Sequence, residues 1–127
     1  MPERCTTCGG ALRLGGPIWS ERIHQSDFVN RLYQKSTEES CGLKTKGRIS
    51  GTLGGIIDEE LLSDQPLNYS FVNVCSELKL INPTKEQIIT GFRSLNYLLC
   101  QTYYNSYLWK TNAPPSVIYE VFKQFKL

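Results

Sequence analysis

Residues 66–111 constrain the fold of this chain more than any other stretch. Pro66-Leu67-Asn68-Tyr69 leads to Ser70, a good helix cap, after which Phe71, Val74, Cys75 and Leu78 recur at three- and four-residue spacing. Leu80 and Ile81 connect to Asn82-Pro83, where Asn caps well and the missing N–H of proline costs nothing in a first helical turn. The second helix carries Ile88, Phe92 and Leu95 on one stripe, leaves Lys85, Glu86, Thr90 and Arg93 outside, and should end near Asn96. Residues 97–104 and 107–110 are rich in aromatic and aliphatic side chains on either side of Asn105-Ser106, which predicts two strands joined by a turn. Helix, tight turn, helix and hairpin is the order of a winged helix. The fold class expected is therefore α+β, mainly helical, with a β-hairpin wing.

The flanks fit around that unit. Ser26 can cap a helix to about Thr37, with Phe28, Val29, Leu32 and Tyr33 on its buried side. From Thr45 to about Leu62 the apolar positions Ile49, Leu53, Ile56, Ile57 and Leu61 predict another helix, the first of the winged unit. Gly47, Gly51, Gly54 and Gly55 oppose it by about 1 kcal/mol each, and are expected to permit a close helix contact. Asp58-Glu59-Glu60 at its end reads as a solvated turn, because adjacent residues on a helix do not face each other. Asn112-Ala113-Pro114-Pro115 then breaks the chain and starts a last helix. Ile118, Val121, Phe122 and Phe125 make its apolar face, and Lys123 and Lys126 suit the dipole at its end. Ahead of all this, Gly15-Gly16-Pro17 forces an irregular path, and Ile18 and Trp19 are expected to plug apolar space.

Cys5-Thr6-Thr7-Cys8-Gly9-Gly10 has the spacing and the trailing glycines of a knuckle that grips a metal with two thiolates. One such knuckle, here Cys5 and Cys8, would be half of a tetrahedral zinc site. Three readings stand: half of a zinc ribbon whose other pair lies upstream, a site completed by His24 or Cys41, or plain thiols. A chain of 127 residues then divides into a partial zinc-ribbon knuckle and anchor segment over 1–20 and a winged-helix-like domain over 21–127. Five cysteines, an odd number with no secretory signal, argue against a disulfide framework, and Cys75 and Cys100 read as buried thiols. His24, the only histidine, is expected to cap or pack, since no second base or nucleophile accompanies it. No apolar run approaches the roughly 18 residues needed to cross a bilayer, so the chain is expected to be soluble and intracellular, with no membrane partner. Net charge is only +2, but residues 1–57 hold 8 basic and 5 acidic side chains, 58–83 hold 1 and 5, and 84–127 hold 5 and 2. An anionic partner should therefore avoid the acid block.

Several phrases together resemble one family. Gly15-Gly16-Pro17-Ile18-Trp19, Ile23-His24 with Asp27-Phe28-Val29, Arg48-Ile49, Glu60-Leu61, Pro66-Leu67-Asn68-Tyr69 and Lys110-Thr111-Asn112-Ala113-Pro114 fall in the order of the tRNA (guanine-N2) dimethyltransferases. The resemblance covers nearly the whole chain, matches that family's C-terminal domain and is strongest to its vertebrate dimethyltransferase-like branch. It implies an enzyme that joins an N-terminal S-adenosylmethionine-binding methyltransferase domain to a C-terminal tRNA-binding domain, with a nuclear location expected. Cys5 and Cys8 would be the second cysteine pair of the zinc ribbon that some members carry. Thr102-Tyr103 replaces a Thr-His pair and Asn112 replaces an Asp, so the resemblance does not carry RNA contacts to those two positions. The glycine-rich cofactor turn and the catalytic Asp-Pro-containing loop do not occur in this sequence, and this stretch alone should not methylate.

The expected role is thus to hold tRNA by shape and phosphate contacts. Lys85, Arg93 and Lys110 are the candidates for phosphates, and Tyr104, Tyr107 and Trp109 for stacking. The alternative is a winged-helix protein-interaction module that binds no nucleic acid and docks through its acid block. A DNA reader is disfavoured, because the second helix turns too few basic or amide side chains outward.

Overall fold

The computed structural model describes residues 3–6 and 8–125. Five helices and a small antiparallel sheet follow one another as α1 (Ser26–Thr37), α2 (Lys46–Glu60), β1 (Tyr69–Ser70), α3 (Phe71–Leu78), α4 (Lys85–Ser94), β2 (Leu99–Gln101), β3 (Leu108–Thr111) and α5 (Pro115–Lys123). The fold is α+β, and between residues 70 and 111 the order is helix, helix, hairpin.

Local chemistry sets the boundaries. Ser70 caps α3 by accepting from the Asn73 backbone N–H at 3.4 Å. Lys79 ends that helix in the left-handed region at φ 55°, with the Leu80 N–H returning to the Cys75 carbonyl. The cap of α4 is Thr84 rather than Asn82: its hydroxyl accepts from Gln87 N–H while the Gln87 side chain accepts from Thr84 N–H, a reciprocal box that the Asn-Pro pair two residues earlier cannot make. Nor does Ser26 cap α1. Gln25 occupies that position, and Ser26 Oγ instead donates to Glu60 Oε1 at 3.0 Å, tying α1 to α2.

The sheet order is β1-β3-β2, with Leu99 opposite Thr111, Cys100 opposite Lys110, and Tyr69 opposite Trp109. Alternation along β3 sends Trp109 to one face and Lys110 to the other. On the first face lies the core, centred on Phe71, whose ring stacks on Phe92 at 5.5 Å and Trp109 at 5.6 Å and tilts against Phe122 at 4.9 Å. Ile118, Val121 and Phe122 of α5 close it. The third helix of this core is therefore α5 and not α2, because α5 offers a fully apolar stripe where α2 offers glycines. The helix α2 packs instead against α1 and across the second face of the sheet at β2.

Several expected core positions lie at the surface. Phe28 and Leu61 are exposed, as is Leu95, so α1 buries Val29 and Ser36, and α4 buries Ile88 and Phe92. Of the α2 glycines, only Gly54 and Gly55 meet neighbours, Tyr33 and Tyr103 respectively, while Gly47 and Gly51 face open space. Trp19 is 70% exposed and Ile18 is exposed beside it, so the segment after the glycines is an apolar arm on the outside and not a plug. Lys126 falls outside the described residues.

Candidate functional site

The hairpin connection is a braced loop. Leu108 N–H donates to Asn105 O, Thr102 Oγ1 donates to the same carbonyl at 2.7 Å, and Tyr107 N–H donates to Asn105 Oδ1 at 2.9 Å. That bracing turns Tyr107 and Tyr104 outward, at 71% and 58% exposure. Tyr104 is steadied by Asn68, which donates to its hydroxyl at 2.7 Å, and by the edge of the Tyr103 ring.

Lys85 opens α4 beside this loop. Its Nζ donates to Gln101 Oε1 at 2.6 Å, and Gln101 Nε2 donates to the Ser106 carbonyl at 2.7 Å, so one amide fastens helix, strand and loop. Arg93 is exposed in the last turn of α4, about 12 Å along the axis from Lys85. Lys85, Tyr104, Tyr107 and Arg93 are thus all at the surface, with Lys85 and Tyr107 lining one groove.

Trp109 and Lys110 are elsewhere. Trp109 is 5% exposed in the core against Phe71, and its ring faces are not free to stack on a ligand. Lys110 is 8% exposed, and its Nζ pairs with Glu59 Oε1 at 2.8 Å beneath α2. The expectation that Lys110 meets phosphate fails because α2 covers the second face of the sheet. The reading of Asp58-Glu59-Glu60 as a solvated turn fails at Glu59 for the same reason: its other oxygen accepts from Tyr103 N–H at 3.2 Å. Glu60 binds Ser26 and pairs with Arg22 at 3.4 Å, so two of the three acids are engaged. Next to this pair, burial first and Glu59 second push the Cys100 thiol up to about 11.

His24 packs its ring edge-on against Tyr103 at 5.4 Å, and its buried Nε2 has no protein hydrogen-bond partner among the described residues. It lines a cavity of about 60 Å³ with Glu59, Glu60 and Lys110. The expected packing role is what the geometry gives; the N-cap position of α1 is Gln25, whose side chain makes no capping hydrogen bond.

Cys5 and Cys8 sit on a tight turn in which Cys5 N–H donates to Gly10 O, Gly9 N–H donates to Cys5 O, and Gly9 has φ +71°. The turn has the shape of a metal knuckle, but among the described residues no three His, Cys, Asp or Glu side chains converge to hold a metal. A complete site using His24 or Cys41 is therefore not formed. Tyr119 lies near the knuckle, and its hydroxyl donates to Glu77, which with burial raises its pKa to about 12.

Gln101, Asn68 and Glu59 have bracing roles that the sequence alone did not show. Each acts through a partner 16 to 44 positions away, which no local pattern reveals.

Comparison with known proteins bears on all of this. A family model described as N2,N2-dimethylguanosine tRNA methyltransferase matches residues 1–123. The chain is 34% identical over 126 residues to the tRNA (guanine(26)-N(2))-dimethyltransferase of Drosophila melanogaster, covering 97% of this chain and 21% of that protein. It is 33% identical over 123 residues to tRNA (guanine(26)-N(2))-dimethyltransferase 2 of Arabidopsis thaliana, covering 97% and 20%. A relative from Saccharomyces cerevisiae, 29% identical, covering 98% and 22%, is described as mitochondrial. Among solved structures, Trm1 from Pyrococcus horikoshii with S-adenosyl-L-methionine superposes with a TM-score of 0.71 at 26% identity, covering 89% of this chain and 30% of that one. The chain spans about one fifth of the length of the relatives it matches. No helix among the described residues is long and apolar enough to cross a membrane.

Proposed function

The chain belongs to the N2,N2-dimethylguanosine tRNA methyltransferase family, and from that premise we propose that it is the tRNA-binding C-terminal domain of an S-adenosylmethionine-dependent tRNA guanosine N2-methyltransferase. The observation that carries the reading is the family match over residues 1–123 in a chain one fifth the length of its relatives. Lys85 and Arg93 meet phosphates, and Tyr104 and Tyr107 offer stacking faces, as their exposure allows. The helix–helix–hairpin order supports a winged-helix-like use of α3, α4 and the β2–β3 wing, within the domain that we place at 21–127.

The remainder of the enzyme supplies the chemistry. S-adenosylmethionine would donate the methyl group there; among the described residues neither strand-to-helix connection, Ser70 into Phe71 or Asn112-Ala113-Pro114 into α5, has the glycines to cradle it. The arm carrying Leu14, Ile18 and Trp19 is where we place the contact with the methyltransferase domain, since an exposed apolar strip is the surface a neighbouring domain would cover. Cys5 and Cys8 supply two thiolates of a structural zinc, with the other two ligands contributed from elsewhere in the longer protein. The compartment we propose is the nucleus, and fractionation of tagged protein into nuclei or mitochondria tests it.

Binding of the chain to a folded tRNA and to duplex DNA, each at low and moderate salt, tests the main reading. Tighter binding to tRNA at both salts is expected; equal binding, or none, would leave the protein-interaction module as the better account.

A further inference from the structure

We propose that the groove between α3, the start of α4 and the tip of the β2–β3 hairpin takes a single unpaired nucleobase of the bound RNA. The groove measures about 350 Å³, within the range of small-ligand sites. Trp109 closes its inner end, Val72 forms a wall, and Tyr107 stands at the mouth. Asn82, Lys85 and Gln101 supply the polar part.

That set of groups matches a nucleobase in three respects. A base is a flat apolar plate with a polar edge, and Tyr107 offers an exposed aromatic face to the plate. The Asn82 side chain, a donor and an acceptor at once, makes no protein hydrogen bond among the described residues and can meet the edge. Charge agrees as well. The lining holds Lys85 and no carboxylate, whereas the grooves beside α1 and α2 and on the outer face of the hairpin each include an acid.

The groove is also built before any ligand arrives. Gln101 is bonded at both ends, to Lys85 and to Ser106 O, and the loop holding Tyr107 is braced through Asn105. A preformed site spends less on ordering when it binds. A stacked duplex keeps its bases out of such a slot, so occupancy selects a nucleotide already extruded or unpaired.

The inference rests on the tRNA-binding reading above, and the test separates the two. Binding of the chain to a folded tRNA and to an RNA duplex of equal phosphate count is measured for wild type, Tyr107→Ala, Tyr107→Phe and Val72→Trp, with thermal unfolding of each as the folding control. Tyr107→Ala is expected to weaken tRNA binding at least about fivefold, the low end for losing one base–aromatic stack, and to leave duplex binding unchanged. Tyr107→Phe retains wild-type affinity, and Val72→Trp, which fills the slot from its wall, reproduces the loss. If wild type prefers tRNA but both disruptive variants keep that preference within twofold, the base pocket is wrong and tRNA binding stands. If wild type shows no preference for tRNA over the duplex, both fall together.

Discussion

Lys110 and Glu59 form a buried pair in which each residue is needed because the other is there. Lys110→Met should cost about 3–5 kcal/mol, since Glu59 would be left buried beneath α2 without its partner. Replacing both, as Glu59→Leu with Lys110→Met, should cost far less. The residual loss of about 1–3 kcal/mol comes from Tyr103 N–H, which loses its acceptor. Urea unfolding of the two singles and the double closes this cycle; a double that costs the sum of the two singles would show that the pair is not coupled. Cys100, on the paired strand, gives a second prediction. Its pKa stands at about 11 against an ordinary 9.0. Below the lower value neither state ionises, and between the two the unfolded chain releases a proton that the folded chain keeps, so stability falls across that window. Cys100→Ala should flatten that fall. At pH 8 iodoacetamide should label exposed Cys8 well before Cys100. The sequence displayed these residues but not their roles: cation, acid and thiol were all visible, and only the pairing of Cys100 with Lys110 under α2 made them one cluster.

Elements were more legible than residues, because periodicity is a local property and burial is not. The Phe71–Val74–Cys75–Leu78 spacing gave α3 with its Ser70 cap, and Ile118, Val121 and Phe122 gave the buried stripe of α5. The two-residue strand β1 escaped, since it pairs with β3 some forty positions on and carries no pattern of its own. Glycines in helices expose the same limit. Gly51 faces open space on α2, so Gly51→Ala should stabilise by up to about 1 kcal/mol through helix propensity alone. Gly91 on α4 reads identically in sequence, yet a Cβ there would lie 2.9 Å from Val121 Cγ1 in the α4–α5 contact. Val121 is fully buried and β-branched, and cannot step aside. Gly91→Ala should therefore destabilise by about 1–3 kcal/mol despite the same propensity gain. Opposite shifts of the thermal midpoint are expected, and a stabilised Gly91→Ala would mean that α5 sits more loosely on α4 than its core position implies.

Across the whole molecule, charge decides how the proposed tRNA partner would approach, and here net charge is a poor guide. The sum of +2 conceals a basic first half, an acid block and a basic end. Folding then removes Glu59 and Lys110 together and engages Glu60 with Ser26 and Arg22. What remains on the α4 and hairpin side is Lys85 and Arg93, exposed at the two ends of one helix, with the single carboxylate of Glu86 beside Lys85. Counterion release makes the dependence of log K on log salt report how many phosphates are neutralised, each worth a slope of about −0.7 to −0.9. Lys85→Ala and Arg93→Ala should each make the tRNA slope shallower by roughly one, and the double by roughly two. Tyr107→Ala should lower affinity with the slope unchanged, because stacking releases no ions. A Lys110 variant that still folds should change neither, although in the bare sequence Lys110 looks as eligible as the others. Titrations by fluorescence anisotropy from about 50 to 200 mM salt are sufficient to read these slopes. A double variant with the wild-type slope would move the proposed phosphate contacts off α4, and with them the face that we propose for tRNA.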